Sequence, residues 1–249
     1  MSVSEFWNLL DELDRDYLPH ISVNGVIFGA HAGVLKVLLM QSEGTGTWSL
    51  PGGYVRREEA VDDAATRMIR ERTGLSGTVL RQFHTFGGLH RGEAVVADAL
   101  RAKGIEAPAD HWVLGRVVSV GYVALVNTSR AQVAPDAWTQ AHKWWDLTER
   151  QALILDHDAM VERALSTSRT NLDVLPLDES LLPGAFTMPE LQILYETVLG
   201  RPLDRRNFQK RMLELGRVER LPDQRVGVRR KPAYVYRWRT PVTAKHSSD

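Results

Sequence analysis

The chain is 249 residues long, beyond the commonest domain size, which predicts two domains. Its 43% hydrophobic and 25% charged residues describe a globular protein with material for a core in each half, and exclude a largely disordered chain. The absence of cysteine excludes a disulfide framework, a thiolate zinc site and a cysteine nucleophile, and is compatible with a reducing compartment. A formal net charge of +0 conceals a strong segregation. Residues 200–240 hold 13 Lys and Arg against 4 Asp and Glu, a formal +9, which leaves 18 against 27, or −9, for the rest. Such polarity points the C-terminal part at an anionic partner.

Residues 1–20 carry Glu5, Asp11, Glu12 and Asp14 among Phe6, Leu9, Leu10 and Leu13, an acidic amphipathic helix pattern rather than a basic, apolar secretion signal. No apolar run reaches the roughly 20 residues that span a bilayer, so a cytoplasmic protein without a membrane partner is expected. Residues 21–28 and 34–40 are β-branched and aliphatic runs punctuated by Gly29 and Gly33, which predicts a hairpin of buried strands. Beyond a turn-rich stretch at 44–47, Trp48-Ser-Leu-Pro-Gly-Gly leads out of a short strand into a loop. Helical spacing over 58–73 sets Val61, Ala65 and Ile69 on one face, and Gly74 ends the helix as its C-cap. Strands are predicted over 78–85 and 117–126, flanking an Ala- and charge-rich insertion at 89–115 with one short helix. A second helix is predicted over 156–166, after Trp144-Trp145.

Pro176 and Pro183 mark residues 169–183 as a connecting segment, which divides the chain into domains 1–168 and 169–249. Thr187 and Glu190 form a capping-box pattern, and Leu191, Leu194, Tyr195 and Val198 share a helical face that stops at Gly200. Asp204 is the N-cap of a further helix to about 215, with Phe208, Met212 and Leu215 apolar. Two strands around a turn fill 218–238, completing a winged helix-turn-helix.

Gly53, Glu59, Arg67, Glu71, Gly74 and Leu75 stand at the spacing G-x5-E-x7-R-E-U-x-E-E-x-G-U, where U is aliphatic, and so resemble the Nudix box. The resemblance implies an α+β fold: a Nudix-like α/β/α sandwich ahead of the winged helix. Cleaving a diphosphate demands divalent cations held by carboxylates converging from one helical face. In the family those are the glutamates of R-E-U-x-E-E, but this chain reads Arg67-Met68-Ile69-Arg70-Glu71-Arg72. Met68 and Arg72 stand where two of the glutamates belong, and a guanidinium repels a metal while offering Glu71 a salt-bridge partner. No catalytic residue, metal or cofactor is therefore expected. Glu59 and Arg67 are both kept, and in the family they pair to hold the loop against the helix.

The residues assigned to a ligand cleft are Arg67, Glu71, Arg72 and His84. Arg72 suits bidentate recognition of a phosphate or carboxylate, whereas Glu71 also reads as an ordinary exposed helical glutamate. His84, between Phe83 and Phe86, reads either as a ligand hydrogen-bonder or as a core histidine with a satisfied partner.

In a winged helix the second helix enters the major groove and the wing holds phosphates. Arg205, Arg206, Asn207, Gln209 and Lys210 are residue types that read base edges or hold phosphate. Arg225, Arg229, Arg230 and Lys231 gather where the wing turns, as phosphate contacts. The stretches Phe186-Thr-Met-Pro-Glu-Leu-Gln, Asp204-Arg-Arg-Asn-Phe-Gln-Lys and Lys231-Pro-Ala-Tyr-Val-Tyr-Arg, behind a Nudix-like domain, resemble the NrtR-type family of Nudix-related transcriptional regulators. That resemblance implies operator DNA as partner, an ADP-ribose-like nucleotide or a sugar such as arabinose as effector, and a homodimer on a palindromic site.

Two other readings compete with the regulator. One is an active Nudix pyrophosphatase with metal ligands outside the box, drawn from Glu93, Asp98 and Glu106. The other is an RNA-associated module, disfavoured because Tyr234, Tyr236 and Trp238 at period two read as strand core.

Overall fold

The computed structural model describes residues 15–42, 46–89, 91, 97, 101, 104, 106, 111–129, 131–134, 139–149, 151–170, 181–182, 184–225 and 233–239. The expected hairpin is β1 (Tyr17–His31) against β2 (Val34–Ser42), with Phe28 opposite Val37 and His31 opposite Val34. Its two-residue turn places Ala32 at φ 49° and Gly33 at φ 80°, the doubly left-handed geometry that matches strand twist. β3 (Trp48–Ser49) and β4 (Gly52–Arg56) follow. The loop expected after Trp48 is thus partly a strand, because Gly52, Gly53 and Tyr54 pair with Asn24, Val23 and Ser22 of β1. Glycine is required at one of these crossings, where a Cβ on Gly52 would lie 2.5 Å from the Val23 carbonyl oxygen.

Helix α1 (Val61–Thr73) starts three residues later than the helical spacing suggests, since Arg57, Glu58 and Glu59 serve the preceding turn, and it ends at Gly74 with φ 73° as expected. β5 (Arg81–Phe86) begins later than 78, because Gly77 at φ 68° keeps the chain turning. Most of the 89–115 insertion lies outside the described residues; of those that are described, Ala97 and Arg101 are α-helical, in keeping with the short helix expected there, and Trp112–Leu114 form a 3₁₀ turn. The insertion is closed at its base: Val117 N donates to Arg91 O at 3.3 Å, and Arg91 Nη1 to Val117 O at 3.3 Å. β6 (Val118–Asn127) runs parallel to β1 over ten residue pairs. β7 (Thr139–Asp146), which the polar sequence Thr-Gln-Ala-His-Lys concealed, pairs with β2. Helix α2 (His157–Thr170) closes the first domain and carries Arg169 and Thr170, expected to begin the connecting segment, as its last residues.

The seven strands form one mixed sheet, with α1 and α2 on opposite faces. Alternation sorts the strands' side chains. Val26, Phe28, Val37, Leu39, Val123 and Leu125 face α2, whereas Val23, Ile27, Leu38, Met40, Tyr122 and Ala124 face α1.

In the second domain, β8 (Phe186–Thr187), α3 (Met188–Leu199), α4 (Arg205–Glu214), β9 (Val218–Arg225) and β10 (Ala233–Trp238) form the expected winged helix. The strands stand in the order β8, β10, β9. The capping box is formed: Thr187 N donates to Glu190 Oε2 at 2.6 Å, and Glu190 N reaches Thr187 Oγ1 at 3.4 Å. Asp204 caps α4 by accepting from Asn207 N at 2.9 Å. Tyr236 and Trp238 are core, but Tyr234 is 43% exposed. The strand-core expectation fails at Tyr234 because the β9–β10 register shifts between Tyr234 and Tyr236.

One apolar cluster crosses the domain boundary. Phe28, Val37, Met160 and Ala164 of the sandwich belong to the same buried set as Phe186, Leu191, Tyr195, Phe208 and Trp238 of the winged helix. Leu191, fully buried in that set, is expected on truncation to alanine to lose about 2–5 kcal/mol in urea denaturation, with both domains unfolding in one transition.

Candidate functional site

The box is organised by one buried cation. Arg67, on the inner face of α1, is 8% exposed. Its Nε donates to Glu59 Oε2 at 2.9 Å and its Nη2 to Glu59 Oε1 at 2.5 Å, a fork-on-fork pair. Nη2 also donates to Tyr54 O at 3.1 Å, and Nη1 to Glu71 Oε2 and Met68 Sδ, each at 3.0 Å. Glu59 in turn accepts from Arg56 N at 2.7 Å. The hydrogen bond from Arg67 holds the Glu59 carboxyl below the usual carboxylate range, and the same bond holds the guanidinium firmly charged. All five guanidinium hydrogens thus have acceptors, and Arg67 fastens β4 and the Gly53–Glu59 loop to α1, leaving it no donor for a ligand.

Glu71 reaches into solvent, with 40% of its side chain exposed, between Arg67 at 3.0 Å and Arg56 at 3.9 Å. Its cationic partner is therefore not Arg72, as the sequence suggested. Arg67 precedes Glu71 by one helical turn and shares its face, while Arg72 is the next residue and is rotated away. Arg72 is half-buried, and Met68 is buried against Gly53, whose Cβ would lie 2.8 Å from its Sδ. On the same helix, Asp62 accepts from the Tyr122 hydroxyl; burial, then this bond, push the phenol above its ordinary value.

His84 does not join this group. It sits on β5, the last strand of the sheet, opposite Gly121 of β6, which is opposite Asn24 of β1, a residue that touches α2 rather than α1. It is exposed and lies edge-on to Phe86 at 4.8 Å, so the core-histidine alternative does not hold at this sheet edge. Of the carboxylates named for an alternative metal site, Glu106 is exposed, and Glu93 and Asp98 lie outside the described residues.

The sequence did not reveal a polar chain beneath the sheet. His157, 4% exposed at the start of α2, accepts from Leu50 N through Nδ1 at 3.0 Å and faces the Asn24 amide through Nε2 at 3.5 Å. Asn24 is bonded to Ser119 Oγ at 2.5 Å. Since Nδ1 accepts, the proton of the neutral ring resides on Nε2, so its approach to Asn24 Nδ2, itself a donor, is a contact and not a hydrogen bond. Beside it, Arg91 Nε reaches both carboxylate oxygens of Asp156, at 2.8 and 3.0 Å. Burial, aided by the Arg91 charge, lowers the His157 pKa to about 4. No spacing rule connects residues 50 and 157.

In the winged helix, Arg205, Arg206, Asn207 and Lys210 are exposed on α4, while Phe208 and Met212 are buried on its other side. Gln209 is half-buried and turns partly from that outer face. Arg225 lies in β9 opposite Ala233; Arg229, Arg230 and Lys231 lie outside the described residues. The turn before α4 is set by Glu196, whose Oε1 accepts from Leu203 N at 2.8 Å and Gln192 Nε2 at 2.9 Å, while Gln192 Nε2 also donates to Leu203 O at 2.9 Å. A cationic feature that alternation alone did not flag is Arg220, exposed on β9, with its guanidinium 3.2 Å above the Tyr234 ring.

The sandwich thus shares its buried core with a winged helix that presents arginines outward. Residues 18–163 match the NUDIX domain, and residues 179–238 match the NrtR DNA-binding winged helix domain. The chain is 30% identical over 231 residues to the ADPR responsive transcriptional repressor NtrR of Acinetobacter baylyi, covering 88% of this chain and 82% of that one. The crystal structure of Shewanella oneidensis NrtR complexed with a 27mer DNA superposes with a TM-score of 0.66 at 26% identity, over 88% of this chain and 93% of that one. A MutT/nudix family protein from Enterococcus faecalis shares the fold, with a TM-score of 0.65 at 22% identity over 96% and 94% of the two chains. The chain belongs to the NrtR-type family of Nudix-related transcriptional regulators.

The buried imidazole makes stability depend on pH. Its folded pKa of about 4 lies below the ordinary 6.5, so as pH falls the unfolded chain takes up the proton first. The His157 contribution is intact above pH 6.5 and is lost between 6.5 and 4, by about 3 kcal/mol at most. Urea denaturation across that window should show a steeper loss for the wild type than for His157→Gln, which does not titrate there; parallel curves would contradict the assignment.

Proposed function

We propose that the chain is an ADP-ribose-responsive repressor that binds operator DNA as a homodimer in the cytoplasm, with a sensing domain over 1–168 and a reading domain over 169–249. The observation that carries the reading is the outer edge of α4, where Arg205, Arg206, Asn207 and Lys210 face solvent on a helix whose opposite side is buried in the core. These residues, with Gln209 at the margin, enter the major groove, while Arg225, Arg229, Arg230 and Lys231 of the wing hold phosphates. ADP-ribose is favoured over a sugar because the Acinetobacter baylyi relative, similar over most of its length, is an ADPR responsive repressor.

In this reading the Nudix cleft senses and does not hydrolyse. A Nudix reaction needs converging carboxylates for magnesium, and the residues present do not fit that ion. Met68 is buried against Gly53, Arg72 adds positive charge, and Glu71 is held by Arg67 and Arg56. Effector contacts fall to Glu71 and Arg72 at the outer end of α1, with His84 reaching the ligand only from the far sheet edge. Arg67 supports them by fixing the loop.

Fluorescence anisotropy on the protein's own upstream DNA, at several salt concentrations and with ADP-ribose or arabinose added in turn, tests the reading. Sequence-selective binding that ADP-ribose weakens is the expected result. Arg206→Ala should weaken operator binding by about 1–3 kcal/mol if it reads a base, or lower the salt slope by about one if it holds a phosphate. Binding indifferent to sequence would overturn the repressor, and magnesium-dependent turnover of ADP-ribose lost in Glu71→Gln would restore the hydrolase.

A further inference from the structure

Helix α2 is fastened at both ends to different parts of the molecule. At its start, His157 Nδ1 accepts from Leu50 N at 3.0 Å, and in the approach to the helix Ile154 N donates to Trp48 O at 3.0 Å. Leu50 immediately precedes Pro51-Gly52-Gly53, the entry to the strand that Arg67 holds through Tyr54 O. At its far end, Arg169 Nε donates to Val198 O at 3.2 Å. That carbonyl belongs to the last turn of α3, where the helix itself supplies no donor.

The local chain around this second contact is shaped for it. Gly200 takes φ 67°, and a Cβ there would lie 2.9 Å from Arg169 Nη2, so a side chain at 200 would push the guanidinium aside. From the end of α3, Glu196 clamps Leu203 and so sets the entry into α4. Between the two fastenings, Met160, Val161, Ala164 and Leu165 lie in the cluster that the domains share. Arg169 stands twelve helical steps beyond His157, a rigid span of about 18 Å.

We propose that α2 is the strut that carries effector occupancy from the Nudix loop to the DNA-reading helices, with His157 and Arg169 as its positioning residues. The proposal rests on the effector-responsive reading above. A packed helix moves as a body, so a displacement of the Leu50–Gly53 loop arrives at Val198 as a displacement of the α3 terminus and, through Glu196, of α4. Each acts by holding an end of the helix.

The test is the ratio of operator Kd values with and without saturating ADP-ribose, measured on the full chain by anisotropy, together with the Kd for ADP-ribose and the thermal midpoint. Arg169→Ala is expected to leave both individual affinities within about twofold and the midpoint unchanged, because the side chain is exposed, while the ratio shrinks by roughly fivefold or more. His157→Gln should shrink the ratio as well, and the double variant should lose no more than the more affected single one, since both interrupt one route. If His157→Gln fails to fold, Arg169→Ala decides alone. A wild-type ratio well above one that Arg169→Ala leaves intact overturns the strut while sparing the regulator. A wild-type ratio of one removes the effector reading and the strut with it.

Discussion

A guanidinium withdrawn from water is tolerated only when its charge and all its hydrogens are answered, and the sensing domain is arranged around one such group. Arg67 meets Glu59 through Nε and Nη2, Glu71 through Nη1 and the Tyr54 carbonyl through Nη2. Removing any one partner strands part of a buried charge, a larger penalty than the pair contributes when whole. The loop, the helix and the strand that supply these acceptors are therefore held in a single arrangement. Met68 and Arg72, on either side of Glu71's turn of α1, are held within that same arrangement.

The second constraint is the continuity of the core. Two domains that touched only through a polar linker could reorient freely. In this chain Leu191 and Tyr195 of α3 belong to the same cluster as Phe28 and Met160, and Asn127 Nδ2 donates to Leu181 O at 3.1 Å at the end of β6. The DNA-reading helices are consequently built onto the sandwich rather than tethered to it.

What could be read from the sequence was what neighbouring residues decide among themselves. Thr187 with Glu190, Asp204 before α4, Gly74 after α1, the alternation in β1 and β2 and the spacing from Gly53 to Leu75 are all short-range patterns, and each has its counterpart in the structure. β7 escaped because Lys143 and His142 interrupt its pattern. Lys143 is accommodated by lying 4.0 Å from the Trp145 ring, a contact no composition rule anticipates. The partner of Glu71 was misassigned because helical angle, not adjacency, chooses it. His157 and Arg169 were invisible as functional residues, since their partners stand 107 and 29 residues away.

The closed base of the 89–115 insertion separates the length of that loop from the register of the sheet. Arg91 and Val117 are joined through their own backbones and again through the arginine side chain, so the chain leaves the sandwich and re-enters it at one fixed point. Lengthening a loop whose ends are already together costs little, about 0.6 kcal/mol for each doubling. Shifting β1 by a single residue, by contrast, would break ten pairings with β6 and turn both faces of the sheet inside out. The length of chain between Arg91 and Val117 can therefore change without disturbing the register of the sheet.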